Sequence, residues 1–410
     1  MGISLGMPLW GAEASRELTW QDCVQITAMR NPDLLSAARA TEASRAQYRG
    51  SYNGIFPHLA LTNSYEDSKG SSSDLESKLW QAQGTASLDL INASQWASIQ
   101  SASASLRQSE AARQGASSMV LLNLYKAFAG LLYNQELIGV ATRIRDLWSN
   151  NNQLINLRYA SGRESKGNRL RTQAELLQAE SALRQAAREL RVSQNQLAQS
   201  LGQDAFSALA VTGTWTAEQL PDAIPDLESK VNSLPAVRAG QAAVELAQAA
   251  VNAARSPLLP VLSLNYSRGL QGSTEFPSNP YWAFTGLVNY PLFGSGPTST
   301  YFASAAARRT LEKTRLNLQS IRYQARTDLE SAWADLAQAH DQVKVQRSFL
   351  DAATQRKEES DIRYQSGLMT FQDWEVVTND YVNSQRSFLS AEQNLILAEA
   401  QWRFASGEQL

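Results

Sequence analysis

A chain of 410 residues with 19% charged side chains and a formal net charge of −2 lacks both the lipid-facing apolar surface of a helical membrane bundle and the basic footprint of a nucleic-acid binder. One cysteine, Cys23, excludes an internal disulfide, and two scattered histidines, His58 and His340, offer no metal-ligand cluster. No phosphate-binding loop, dinucleotide fingerprint, nucleophile elbow or HExxH motif occurs, so neither enzymatic chemistry nor a cofactor is expected.

Residues 1–14 are mildly apolar and end on Ala12-Glu13-Ala14, the small-x-small form of a signal-peptidase site. Without a basic n-region they read as a truncated signal peptide. Cys23 follows Leu18-Thr19-Trp20-Gln21-Asp22 in a helical pattern, which is no lipidation context. The most apolar stretch, Met119 to Ala141, contains Asn123, Lys126, Asn134, Gln135 and Glu136, and so predicts an amphipathic helix rather than a membrane span.

The chain contains a tandem duplication, a feature that governs the fold reading. Asn31-Pro32-Asp33-Leu34 opens an alanine-rich helical run ending at Phe56-Pro57-His58-Leu59. Leu234-Pro235-Ala236-Val237 opens another ending at Leu259-Pro260-Val261-Leu262, with the same 25-residue proline spacing (57 − 32 and 260 − 235). Arg158-Tyr159-Ala160-Ser161-Gly162 recurs as Arg363-Tyr364-Gln365-Ser366-Gly367, and Leu201-Gly202 as Ser406-Gly407, both at an offset of 205 (367 − 162 and 407 − 202). The first repeat covers 15–232, with strands about 57–68 and 79–92, long helices about 94–157 and 165–201, and an equatorial segment 202–232. The second covers 233–410, with strands about 260–270 and 280–293 and helices about 297–362 and 371–405.

Period-2 alternation defines the strands. Leu59, Leu61, Asn63 and Tyr65 form one row. Trp80, Ala82, Gly84, Ala86, Leu88 and Leu90 alternate with Gln81, Gln83, Thr85, Ser87 and Asp89. The second repeat offers Leu262, Leu264 and Tyr266, then Trp282, Phe284, Gly286, Val288 and Tyr290. Two readings stand: two ordinary hairpins covering a core, or strands of a transmembrane barrel whose aromatic girdle is Trp80, Tyr281, Trp282, Tyr290 and Phe293. Four strands cannot close alone, so the second reading needs several chains.

After each Arg-Tyr-x-Ser-Gly segment comes a 3,4 seam: Leu176, Ala179, Leu183, Ala186, Leu190, Ser193 and Leu197, then Val377, Tyr381, Ser384, Phe388, Ala391, Leu395 and Ala398. Such seams predict antiparallel coiled-coil hairpins turning at Gly162 and Gly367. At 1.5 Å per residue, a helix over 96–157 extends about 93 Å, matched by return pieces of about 56 and 32 Å.

With these elements, the sequence resembles the TolC-type outer-membrane efflux duct family from about Leu18 to Gly407. Leu18-Thr19-Trp20 through Asn31-Pro32-Asp33-Leu34, Phe56-Pro57-x-Leu59, Tyr290-Pro291-Leu292-Phe293-Gly294 and the two tip turns carry the resemblance. It implies a mixed, mainly α homotrimer. Four strands per chain would form a shared twelve-stranded transmembrane β-barrel, continued by a periplasmic α-helical coiled-coil barrel. The implied function is a passive exit duct of a tripartite efflux or type I secretion system in the outer membrane of a Gram-negative bacterium. Its implied partners are outer-membrane lipid, a periplasmic adaptor protein and an inner-membrane transporter of RND, ABC or MFS type. The implied gate lies at the tip, at Tyr159, Gly162, Asn168, Tyr364, Gly367 and Asp373. Met369 and Val376 stand where the family carries charged gate residues. Asn168 stands where it carries the carboxylate that receives the tyrosine, so a neutral Tyr364–Asn168 hydrogen bond is expected. Asp373 reads either as one of three lumen carboxylates or as a solvated first-turn acid. The alternative from another class is a periplasmic or surface coiled-coil scaffold, and a weaker one is a hydrolase using Asp373 and Glu375.

Overall fold

The computed structural model describes residues 17–69, 76–203, 208–213, 227–290 and 298–409. The expected signal segment 1–14, Phe293 and much of the equatorial segment lie outside them. Two compact units divide the chain: Met1–Ser36, Gly115–Val231 and Ala325–Leu410 form one, Ala37–Gln114 and Asn232–Gln324 the other. In chain order the elements are β1 (Glu17–Leu18), α1 (Trp20–Arg30), α2 (Pro32–Ser51), β2 (His58–Lys69), β3 (Glu76–Ile91), α3 (Ala93–Ala160) and α4 (Lys166–Ser200). The remainder are β4 (Ala210–Val211), α5 (Leu227–Val231), α6 (Pro235–Arg255), β5 (Val261–Gly272), β6 (Asn279–Asn289), α7 (Ser299–Gln365) and α8 (Phe371–Ala405).

In the first unit, Thr19 and Asp22 form a reciprocal capping box at the start of α1. Asn31 then separates α1 from α2. Its Oδ1 accepts the backbone N–H of Asp33 (3.0 Å) and Leu34 (3.2 Å), while its Nδ2 donates to the Ser200 carbonyl at 3.0 Å. The Asn-Pro-Asp-Leu motif thus starts α2 and fastens the α1–α2 junction to the end of α4. Trp20 stacks on Tyr125 at 4.0 Å and meets Phe128 edge-on at 5.5 Å. Around them Leu18, Cys23, Leu124, Leu131, Leu197, Leu201 and Val211 form a buried core. The apolar stretch of α3 is therefore core-facing, and two of its polar residues have partners. Gln135 makes both bonds of a pair with the Val211 backbone at 3.0 Å each, and Asn134 donates to the Gly130 carbonyl. Burial, with the Asp22 charge adding to it, pushes the Cys23 thiol up to about 12, which keeps it inert.

Gly202 ends α4 at φ 70°, and a Cβ there would lie 2.5 Å from the Arg30 carbonyl oxygen. Gly162 has a similar φ of 73° but nothing within 4 Å. Both alanine variants carry the left-handed penalty of about 1–2 kcal/mol. Gly202→Ala adds the clash and should lower the thermal unfolding midpoint clearly more than Gly162→Ala.

In the second unit, α3 and α6 are joined by an Arg107–Glu245 ion pair at 2.5 Å and by Asn252 donating to Gln100 at 2.9 Å. Val251, Ala247 and Leu311 pack α6 on α7. The same unit holds one antiparallel sheet of order β2-β3-β5-β6. The pairing of β3 with β5, with Leu88 opposite Leu264, joins the two repeats, so the two-separate-hairpins reading is corrected to one continuous sheet.

Residues opposite each other share a face. One face carries Leu59, Leu61 and Tyr65 of β2, Trp80, Ala86 and Leu88 of β3, Leu264, Tyr266 and Leu270 of β5, and Trp282, Phe284 and Val288 of β6. Leu61 is 92% exposed and Trp282 70%. The other face carries Thr62, Ser64, Gln81, Gln83, Thr85, Ser87, Asn265, Ser267, Tyr281 and Thr285. Two expectations change. Tyr281 leaves the girdle: it stands on the polar face, accepts a hydrogen bond from Gln81 and donates to Gln83 Oε1 at 2.6 Å. A bulge between Asp89 and Ile91 leaves Leu90 unpaired, so Ile91, opposite Leu262, continues the apolar row in its place.

Candidate functional site at the hairpin tips

Both hairpin turns are built alike, within the first unit. Gly162 at φ 73° and Gly367 at φ 75° close α3 and α7 in the left-handed conformation that glycine adopts without steric cost. Around them the N–H of Arg163 bonds the Arg158 carbonyl, and the N–H of Leu368 bonds the Arg363 carbonyl, both at 2.9 Å, the six-to-one bond of a Schellman cap. The returning helices start on hydroxyl caps: Ser165 Oγ accepts the Asn168 N–H at 3.1 Å and Thr370 Oγ1 accepts that of Asp373 at 3.2 Å. Each turn thereby satisfies its own helix ends.

Between the turns lies a buried aromatic cluster. Tyr364, 2% exposed, stacks on Trp374, 1% exposed, at 4.6 Å and 14°, with Phe371 and Ile155 completing the packing. Arg158 of the first hairpin sets its guanidinium over the Tyr364 ring at 4.4 Å and donates to the Gln365 carbonyl at 3.2 Å. The Tyr364 hydroxyl donates to Glu164 Oε2 at 2.7 Å. The other oxygen, Oε1, accepts from Asn168 Nδ2 at 2.6 Å and from the Ser165 N–H at 3.0 Å.

The expected Tyr364–Asn168 bond is thus corrected. Asn168 is a donor to the carboxylate that receives the tyrosine, and the link between hairpins is charge-assisted, the stronger kind. The physical reason is local. Glu164 directly precedes the extended N-cap Ser165, from where its side chain folds back over the first turn of α4.

Other charges reinforce this region. Arg171 Nε donates to Glu375 Oε1 at 2.8 Å across the hairpins and also meets Glu175 at 3.1 Å. Lys357, 5% exposed, reaches both oxygens of Asp361 at 2.5 Å, and the Trp374 indole N–H donates to Asp361 Oδ1 at 2.7 Å, fixing α8 to α7. Ser360 Oγ donates to Met369 Sδ at 3.3 Å, so Met369 packs rather than carrying charge. Tyr159, the repeat counterpart of Tyr364, is half-buried and lies under Arg169 at 4.6 Å, within its own hairpin. Asp373 is exposed, and its Oδ2 accepts from the Thr370 hydroxyl at 2.7 Å. It is the capping acid of α8. Asp373 is thus engaged at its helix cap and Glu375 in the pair with Arg171.

Glu164 and Arg158 are the residues that sequence reasoning missed. The visible signal was an acid immediately before the Ser165 cap and the repeated arginine of the turns.

Burial pushes the Glu164 carboxyl up. The hydrogen bonds from Tyr364, Asn168 and the Ser165 N–H, together with the Arg158 charge, outweigh it and hold the group below its ordinary range. Burial first, and then the bond to Glu164, push Tyr364 up to about 12, against the influence of Arg158. A depressed acid contributes stability above the ordinary carboxylate range and loses it as pH falls through its lowered value. A raised tyrosine contributes fully below about 10 and loses its contribution as pH rises towards 12. The link should therefore hold from the carboxylate range to about pH 10. In acid titrations monitored by tip-tryptophan fluorescence, a Glu164→Gln variant should lack the wild-type low-pH transition.

A duplicated chain that pairs a two-faced sheet with long hairpins linked at their tips has the architecture of an outer-membrane channel protomer. The sequence profile of the outer membrane efflux protein family matches residues 24–203 and 229–408, one match per repeat. The chain belongs to the outer membrane efflux protein family, and its function is that of an outer-membrane exit duct.

Among solved structures it is similar to the outer-membrane channel OprN, with TM-score 0.87 at 17% identity over 94% of this chain and 89% of that one. It is also similar to the Campylobacter jejuni CmeC outer membrane channel, with TM-score 0.84 at 15% identity over 98% and 90%. The open state of the Neisseria gonorrhoeae MtrE outer membrane channel gives TM-score 0.83 at 20% identity over 94% and 88%. No curated protein matches the chain by sequence. Nothing in these likenesses favours a surface scaffold.

Proposed function

We propose that three copies of this chain assemble into one duct, their sheets closing into a twelve-stranded transmembrane barrel. The observation that carries this is the sheet itself. It has one apolar, exposed face and one polar face, and among the described residues β2 and β6 have no strand on their outer sides. In lipid an open sheet edge is untenable, and four strands are too few to close. Three copies joined β6 to β2 resolve both problems, placing Leu61, Trp282 and Phe284 against lipid and Gln81, Gln83 and Tyr281 towards water. The helical hairpins then extend into the periplasm. There their tips meet an adaptor protein and an inner-membrane transporter of the RND, ABC or MFS type, which supplies the energy.

In this reading the Tyr364–Glu164 bond and the Arg171–Glu375 pair hold adjacent hairpins together at the closed end, and their rupture accompanies opening. Asp373, if turned to the lumen, contributes three carboxylates by symmetry. Light scattering on the detergent-solubilised chain tests the assembly, with a trimer mass expected. A monodisperse monomer retaining its β-sheet signal would refute it.

A further inference from the structure

We propose that Arg268 binds a phosphate of an outer-leaflet lipid headgroup, making the outer face of β5 a recognition site for phosphorylated lipid. The inference rests on the apolar face meeting lipid. On that face, between the Tyr65–Trp80 pair and the helix-side ends of the strands, Arg268 is the one charged residue among those described. It is exposed, lies between Gly84 of β3 and Trp282 of β6 in register, and has no ion-pair partner among the described residues. The other charges of this face, Asp67 opposite Lys78 and Lys69 opposite Glu76, stand further towards the loop end, where Asp67 also accepts the Tyr65 hydroxyl at 2.9 Å. They offset each other, and Arg268 is left with a full positive charge on an apolar surface. Such a charge is tolerated near an interface and costly at the midplane.

Depth agrees with this. Arg268 is four residues (272 − 268) from the loop end of β5. With about 3.3 Å per residue and a strand tilt of about 40°, that is about 10 Å below the strand end, a depth from which a long side chain snorkels to the headgroups. The Tyr65–Trp80 pair, with centroids 4.6 Å apart and Trp80 opposite Gly272 at the loop end of β5, marks the aromatic level of that interface, and Trp282 stands beside Arg268 below it. A planar guanidinium presents a fork that suits phosphate oxygens in bidentate fashion. Gly84 on one flank adds no side chain of its own, and the nearest side chain over it is that of the apolar Leu61. Since β5 is flanked by β3 and β6, this face stays clear of the edges where copies would meet.

Native mass spectrometry of the full-length solubilised protein, titrated with a diphosphorylated glycolipid of the lipid A type, tests the proposal. Wild type should hold this lipid at least about fivefold more tightly than Arg268→Gln, the scale of one basic residue at an anionic surface. Arg268→Lys should fall between them, and the dephosphorylated glycolipid should not distinguish the three. Equal retention by wild type and Arg268→Gln, or equal retention of the dephosphorylated lipid, overturns the proposal. Displacement by low-millimolar inorganic phosphate assigns the site to free phosphate and overturns the lipid reading. Insertion into neutral-lipid vesicles separates the levels. If the wild type fails to insert, the membrane reading falls with it. If it inserts without headgroup preference, only the Arg268 proposal falls.

Discussion

Glu164→Ala should raise the basal conductance of the reconstituted channel several-fold in planar bilayers, while Asn168→Ala changes it far less. The Glu164 carboxylate receives three donors, from Tyr364, Asn168 and the Ser165 backbone, and only the first crosses between hairpins. Its removal loses a hydrogen bond to a charged group, worth about 1.5–3 kcal/mol, and leaves the buried Tyr364 hydroxyl without an acceptor, a further cost of about 1–3 kcal/mol. In the proposed trimer the effect is multiplied by three. Asn168→Ala removes a donor from within the first hairpin and leaves the Tyr364 bond intact. Tyr364→Phe should lie between the two, because it breaks the same bond while keeping the ring stacked on Trp374 and under Arg158. Equal conductance for Glu164→Ala and wild type would show that this link does not hold the tip closed.

The turns were legible in the sequence because a left-handed cap selects glycine, and two glycines 205 residues apart (367 − 162) preserve that demand in each repeat. The strands were legible because an exposed sheet with unlike faces writes period 2 into the chain. What the sequence could not disclose depends on contacts between distant residues. Glu164 meets Tyr364 across 200 positions, and nothing in the local pattern separates a carboxylate that folds back from one that points to solvent. Asn168, at the position where the resemblance implies the acceptor for the tyrosine, does belong to the network, though as a donor. Tyr281 failed as a girdle residue for a simpler reason. It neighbours Trp282 in sequence, so the two must point to opposite faces, and closeness to a strand end says nothing about which face. The bulge at Leu90 was equally invisible, since one extra residue alters the row only where the partner strand fails to match it. The intra-hairpin staple of Lys357, Asp361 and Trp374 combines an i,i+4 pair, which spacing can suggest, with an indole 13 residues on, which it cannot.

Phe284→Arg should abolish assembly of the barrel, whereas Thr285→Arg, one residue further, should be tolerated. Phe284 lies midway along β6, opposite Tyr266, on the face that carries Leu61 and Trp282. In the proposed barrel that position is near the bilayer midplane, where an arginine on the lipid side costs about 2–4 kcal/mol per chain. Each trimer carries the penalty three times, and a nascent sheet cannot relieve it by rotating a strand, because a one-residue slip would turn every polar side chain outward. Thr285 stands opposite Asn265 on the polar face, where a charged side chain meets water and alters ion selectivity rather than insertion. Arg268 is compatible with this contrast because it lies two residues nearer the loop end, opposite Trp282, from where its long side chain reaches towards the headgroups. Yield of the SDS-resistant oligomer from outer-membrane fractions measures the difference. Equal loss at both positions would mean a sheet packed on two sides, with neither face open to lipid.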